Sequence, residues 1–256
     1  MTDRITITFD TLPSGGEGLE LDGITPDRLL TLSNAEIAKL PVWMGRRSVP
    51  LGDIAAIQGE LSAHLRFEGD LARAEGVGAG MASGVLDVTG SVGDGAGVAM
   101  RGGSLRIGGS AGMRLGAALP GASRGMLGGE IVVTGSVGAE AGAYARRGLI
   151  VVRGDVGDSA ARGLIAGTLV VFGRVGADAG TGNKRGSIVV LGSTAVPPTY
   201  RFACVYRPTV LRVLFGYLRR AYSIPVADRF VAGRWKRYCG DISELGKGEL
   251  LTWAEA

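Results

Sequence analysis

A chain with a single histidine has little proton-transfer chemistry available near neutral pH. That residue, His64, lies beside Leu65 and Phe67, where a packed or surface role outweighs a catalytic one. Cys204 and Cys239 have neither CxxC spacing nor a framework of further cysteines, so they read as reduced thiols rather than as a disulfide or zinc ligands. Carboxylates recur in similar settings at Asp94, Glu140, Asp158 and Asp178, on what reads as a turn with a solvated face. No Ser/His/Asp set, metal cluster or pair of opposed carboxylates can be assembled. The sequence therefore assigns no catalytic and no metal-binding residue.

Cationic side chains offer more. Arg101, Arg146, Arg147, Lys184 and Arg185 stand just before glycines that recur along the chain, and Arg124 and Arg162 stand five places before theirs. If the intervening segments stack, all seven fall near one edge as a basic stripe. Like charges at strand spacing repel. Such a stripe either covers apolar surface and guards a sheet edge or guides an acidic partner or anionic cofactor. A second basic region, residues 201–240, holds nine Lys and Arg against Asp228 alone. The whole chain carries only +4, so its basicity is regional.

The stacking is implied by glycine. Of 256 residues 45 are Gly, yet Val, Leu and Ile are plentiful, a balance unlike that of a disordered tract. Aligned on the glycine after each apolar triplet, Gly69, Gly90, Gly109, Gly135, Gly154, Gly173 and Gly192 are spaced by 21, 19, 26, 19, 19 and 19 residues. The additions fall before a second glycine, the longest within "MRLGAALPGASRG". After that second glycine, Leu86 and Val88, Leu105 and Ile107, Ile131 and Val133, Ile150 and Val152, Leu169 and Val171, and Ile188 and Val190 alternate as strands do.

A 19-residue unit cannot bury an apolar face alone, so its neighbours must stack on it. The expected fold is an all-β solenoid, a right-handed parallel β-helix of about seven coils over residues 60–195. An N-terminal cap, 1–59, and a basic, partly helical extension, 196–256, flank it. The glycines are expected at corners that need φ > 0 or close backbone approach. "GAGMASG" and "GNKRGS" echo phosphate-cradling loops, but no helix follows either one, which argues against a nucleotide site.

In the flanks, Ser33 and Glu36 form a capping-box signature, and "PTVLRVLFGYLRRAY" reads as a helix begun after Pro208 and capped by Thr209. Its apolar residues cover too much circumference for a one-sided helix. It should lie between two bodies, the coil stack and a partner subunit. Nucleic acid is a rival partner for the basic tail, but it leaves the apolar helix and "GDISELGKGELL" without a role. A carbohydrate-active β-helix would need a carboxylate-and-aromatic cleft. A hexapeptide acyltransferase would need a catalytic His within the coils. No run of ~20 apolar residues and no basic-then-apolar leader is present, so the expectation is a cytoplasmic protein without a membrane span.

The phrase "AEIAKLPVWMGRRSVPLGD", residues 35–53, followed by coils best read in "GSVGDGAGVAMRGGSLRI", resembles the C subunit of formylmethanofuran dehydrogenase. The same β-helix is known as the C-terminal domain of glutamate synthase. The ending "RYCGDISELGKGELL" resembles the bacterial branch, the C subunit of the formyltransferase/hydrolase complex of methylotrophs. The resemblance covers nearly the whole chain. It implies a four-subunit assembly that passes formyl groups between tetrahydromethanopterin and methanofuran or methylofuran. The catalytic centres would lie in an amidohydrolase-like and a formyltransferase subunit, with this chain as scaffold. Carriers of this type bear glutamate-containing tails, which gives the stripe of Arg101, Arg124, Arg146, Arg147, Arg162, Lys184 and Arg185 an anionic tail or acidic partner to contact. Whether the assembly keeps a molybdenum or tungsten dehydrogenase subunit is left open by the sequence.

Overall fold

The structure is a computed structural model that describes residues 4–9, 18–60 and 62–254. The N-terminal part contributes β1 (Ile5–Thr8), β2 (Leu19–Glu20), α1 (Pro26–Leu29), α2 (Asn34–Ala38), β3 (Pro41–Met44), β4 (Arg47–Pro50) and β5 (Ala56–Gly59). Then follow β6 (His64–Glu68), β7 (Ala74–Glu75), β8 (Val85–Val88), β9 (Ser104–Ile107), β10 (Glu130–Val133), β11 (Leu149–Val152), β12 (Thr168–Val171) and β13 (Ser187–Val190). The C-terminal part holds β14 (Arg201–Tyr206), α3 (Thr209–Tyr222), α4 (Asp228–Ala232), β15 (Arg234–Gly240) and β16 (Gly248–Ala254).

The fold is strand-rich, dominated by one mixed sheet of twelve strands in the order β14-β15-β16-β13-β12-β11-β10-β9-β8-β6-β1-β5. Its middle is a parallel ladder whose register repeats the glycine period: Ile131 pairs with Ile150, Ile150 with Leu169, and Leu169 with Ile188. The 26-residue spacing does not disturb it, because Leu105 still pairs with Ile131 while residues 119–124 loop out exposed. A second ladder of single bridges runs through Leu71, Val92, Ala111, Val137, Val156 and Val175. Side chains from both ladders are buried in one core. A smaller sheet, β4-β3-β2-β7, joins the N-terminal part to this stack.

Both ends of the chain extend the main ladder. β1 pairs parallel with β6, Ile5 against Leu65, and β16 pairs parallel with β13, Leu250 against Ile188. Antiparallel strands then terminate the sheet, β5 beyond β1 and β15 with β14 beyond β16.

Gly148 and Gly154, one from each glycine series, meet different demands. Gly148, just before β11, has φ 101°, a left-handed conformation that strains any residue with a Cβ. Gly154, just after β11, lacks a positive φ, but a Cβ there would lie 2.7 Å from the Gly135 carbonyl in the preceding unit. In α2 the capping box forms as the sequence predicts: the Glu36 carboxylate accepts the Ser33 amide at 2.8 Å and the Ser33 hydroxyl accepts the Glu36 amide. For α3 the start differs by one residue. Pro208 is the N-cap and Thr209 the first helical residue, since proline's fixed φ and missing N–H suit the boundary.

Candidate functional site

Along the ladder from β6 to β16, the residues in register with Arg66 of β6 face away from the core. In β6, β8 and β9 they are Arg66, Asp87 and Arg106; from β10 onward they are Val132, Val151, Val170 and Val189, then Leu251 in β16. The outer face thus changes from charged to apolar halfway along the stack. An apolar stripe facing water is costly, and α3 removes it by setting Leu211, Phe215 and Leu218 on those valines together with Trp235. The sequence reading places α3 between two bodies, and the stack is one of them. Away from that contact Val210, on the flank of the helix, and Val213, on its far side, are 63% and 66% exposed.

A polar latch fixes α3 where the face changes character. Tyr217 donates its hydroxyl to the Glu130 carboxylate at 2.7 Å, and Tyr222 donates to the same group. Burial, and then the bond to Glu130, raise both phenols above their usual range, because each stabilises the protonated form. Ser104 Oγ lies 3.2 Å from the Tyr222 hydroxyl, and the Arg106 guanidinium lies over the Tyr222 ring, 5.1 Å from its centre. A pocket of about 260 Å³ opens beside this latch, lined by Arg66, Asp87, Arg106, Thr134 and Tyr222. His64 sits next to it, half-buried, with Nε2 at 2.6 Å from Asp87.

The recurring carboxylates do more than face solvent. Asp94 accepts the Met113 amide at 2.7 Å and Asp158 the Ala177 amide at 2.8 Å, each 19 residues onward. A neighbouring column runs unit to unit through Ser91, Ser110, Ser136 and Asp155, each side chain accepting the backbone amide of the next member, and Asp155 that of Arg174. These contacts tie successive corners together. Glu140, by contrast, lies 3.6 Å from Arg162 and 4.0 Å from Arg114.

The ending singled out in the sequence closes the far end of the stack. Asp241, 1% exposed, accepts the Gly182 amide at 3.0 Å through Oδ2, and the Ser243 amide and hydroxyl through Oδ1. Burial pushes its pKa up, but those hydrogen bonds outweigh it and leave the carboxyl below its usual range. Beside it, Tyr200 donates to the Gly180 carbonyl at 2.9 Å, and burial raises its phenol to about 12.

The seven basic residues fall into separate sets. The backbone amides of Arg101, Arg146 and Lys184 bond to the unit before, at Met81, Met126 and Leu164. Leu127 and Ile165 take the same place in the alternate units. Cations in this column are therefore two units apart, which relieves the repulsion expected of an unbroken stripe. Arg147 and Arg185 follow one residue later, Arg124 lies on the exposed 119–124 loop, and Arg162 shares Glu140. Lys184 lies 3.9 Å from Glu244, whereas Arg101, Arg124, Arg146, Arg147 and Arg185 have no carboxylate partner among the described residues. Among those residues, too, no group of three or more His, Cys, Asp or Glu is arranged to hold a metal ion, and no helix is long and apolar enough to cross a membrane.

The arrangement has a solved counterpart. A chain in the crystal structure of the formyltransferase/hydrolase complex of Methylorubrum extorquens, in complex with methylofuran, superposes with a TM-score of 0.81 at 33% identity, covering 98% of this chain and 100% of that one. The chain belongs to the C-subunit family of that complex. By sequence, the C subunit of the Methylorubrum extorquens complex is 42% identical over 77 residues, 30% of this chain and 29% of that relative. The C subunit of the molybdenum-containing formylmethanofuran dehydrogenase 1 of Methanosarcina barkeri is 35% identical over 80 residues, 29% of this chain and 27% of that relative. Each of these sequence matches therefore spans less than a third of the relative's length. No family model matches the chain.

In this member of the C-subunit family, the Glu130–Tyr217–Tyr222 latch escapes sequence reasoning because its members are 87 and 92 residues apart. A signal for the landing face of α3 is present nonetheless. The middle residue of the apolar triplet changes from Asp87 and Arg106 to Val132, Val151, Val170 and Val189, which marks the units that must be covered.

Proposed function

We propose that the chain is the non-catalytic scaffold subunit of a cytoplasmic complex that moves formyl groups between tetrahydromethanopterin and methanofuran or methylofuran. The complex also hydrolyses the formyl carrier, water attacking the formamide carbon so that formate and the free amine leave. Its partners are an amidohydrolase-like subunit and a formyltransferase subunit, which hold the reacting groups. The observation that carries this reading is the whole-length match to a chain of the formyltransferase/hydrolase complex. The repeating register and the two ladders support a parallel β-helix, which we read as right-handed over residues 60–195, with a cap at 1–59 and an extension at 196–256 that each add a strand to its ladder.

The exposed cations support contact with an anionic carrier tail or an acidic subunit surface. Arg101, Arg124, Arg146, Arg147 and Arg185 are free to make it, whereas Arg162 and Lys184 share it with Glu140 and Glu244. The scaffold role is tested by purifying the chain alone and with its native partners. The chain alone should give neither formyl transfer nor formate release; robust turnover from it would overturn the reading. A second reading, the C subunit of a molybdenum or tungsten formylmethanofuran dehydrogenase, is favoured by the Methanosarcina barkeri match. Metal analysis of the purified assembly separates the two, because only the dehydrogenase carries molybdenum or tungsten.

A further inference from the structure

The outer side of α3 carries a glycine that the chain's own packing does not require. Gly216 stands in the middle of a 14-residue helix, where glycine weakens the helix relative to alanine. Its φ is not positive, and a Cβ built on it meets nothing within 4 Å. It lies in a groove of about 460 Å³ between α3 and α4, lined by Thr209, Arg212, Val213, Gly216, Arg220 and Val231. On α3 these residues are spaced three and four apart, so they form one continuous stripe. Val213, at 66% the most exposed large hydrophobic side chain among the described residues, lines it. No carboxylate lines the groove, and neither Arg212 nor Arg220 has an acidic partner among the described residues. Arg219, by comparison, is held by Asp228 at 2.7 Å.

We infer that this groove receives an amphipathic helix of a partner subunit, with its backbone close against Gly216, an apolar side chain on Val213, and carboxylates paired with Arg212 and Arg220. The inference rests on the reading that the chain works inside a multisubunit complex. Three features that the free chain's own packing does not use find one explanation in such a helix. A glycine at the crossing lets two helices approach closely, an exposed valine gains cover, and arginine forks match carboxylates bidentately. An acidic amphipathic helix in a groove is a common recognition mode.

The test is co-expression of the full chain with its native partners, pulled down through a tag on a partner, for wild type, Gly216→Leu, Val213→Glu, the pair Arg212→Glu with Arg220→Glu, and Gly216→Ala. Thermal midpoints of the free chains show that each variant folds; Gly216→Ala should melt roughly 2–4 °C above wild type. Expected is an assembly affinity at least about tenfold weaker for the first three variants. Crosslinking from Val213→Cys should land on an acidic helical segment of another subunit. Wild-type affinity in Val213→Glu and in the double arginine variant would overturn the inference while leaving the scaffold reading standing. A crosslink to a second copy of this chain, or nucleic acid retained at this face, would overturn it as well. Failure of the wild type itself to assemble would sink the scaffold reading and this inference together.

Discussion

Asp241 is where a single side chain does most for the end of the stack, since it satisfies the Gly182 amide and both polar groups of Ser243 from a buried position. Asp241→Ala leaves those donors unpaired and should lower stability by about 1–3 kcal/mol, seen as a lower thermal midpoint; an unchanged midpoint would remove Asp241 from this role. The acid limb follows from its depressed pKa. A carboxyl that is more acidic when folded adds stability above the usual aspartate range near 4, and that stability is lost as pH falls through the lower folded value. Asp241→Asn should therefore flatten the acid limb of a stability–pH curve. Tyr200 acts at the other extreme: its stabilisation is complete below the usual tyrosine range near 10 and is lost as pH rises through about 12. At the corners, Gly154→Val drives a side chain into the Gly135 backbone and should cost about 1–3 kcal/mol by overpacking. A neutral result in denaturant titration would mean that the corners have room to spare.

Among the elements, α3 depends on two kinds of contact, the valine face under it and the latch at Glu130. Replacing both Tyr217 and Tyr222 with Phe keeps the apolar area but strips the Glu130 carboxylate of its donors, a loss of about 1.5–3 kcal/mol for hydrogen bonds to a charged group. Faster amide exchange in residues 209–222 is the expected sign, and exchange equal to wild type would show that the valines alone hold the helix. Because both phenols are raised, the latch should hold below pH ~10 and weaken above it. The repeating strands and the α2 capping box were legible in the sequence because their causes are local: alternation, spacing, and a Ser three places before a Glu. The return of the tail was not. β16 completes the ladder from 62 residues beyond its partner, Glu249 opposite Ser187, and nothing in a local pattern records such a pairing. The carboxylates lie on solvated turns as the sequence predicts, but their use as acceptors was not legible for a related reason, since Asp94 and Asp158 serve amides one unit away.

At the scale of the whole molecule, charge is distributed unevenly around a neutral core. The ladder buries its aliphatic columns, the basic extension folds back across its outer face, and the stripe cations alternate with Leu127 and Ile165. If the exposed cations guide an acidic surface or carrier tail, neutralising Arg124, Arg147, Arg162 and Arg185 together should leave folding intact and weaken association in a salt-dependent way. Each exposed pair contributes only ~0–1 kcal/mol, so the quadruple variant is the fair comparison. Equal association of variant and wild type at low salt would reduce these residues to a solvated face. The scaffold role itself is tested most directly by reconstituting the native partner subunits with and without this chain, then following mass in solution and formate release from the formylated donor carrier. The expected result is one assembly that couples transfer to hydrolysis when the chain is present, and separated subunits without coupled formate release when it is omitted. Partners that assemble and release formate equally well in its absence would contradict the account.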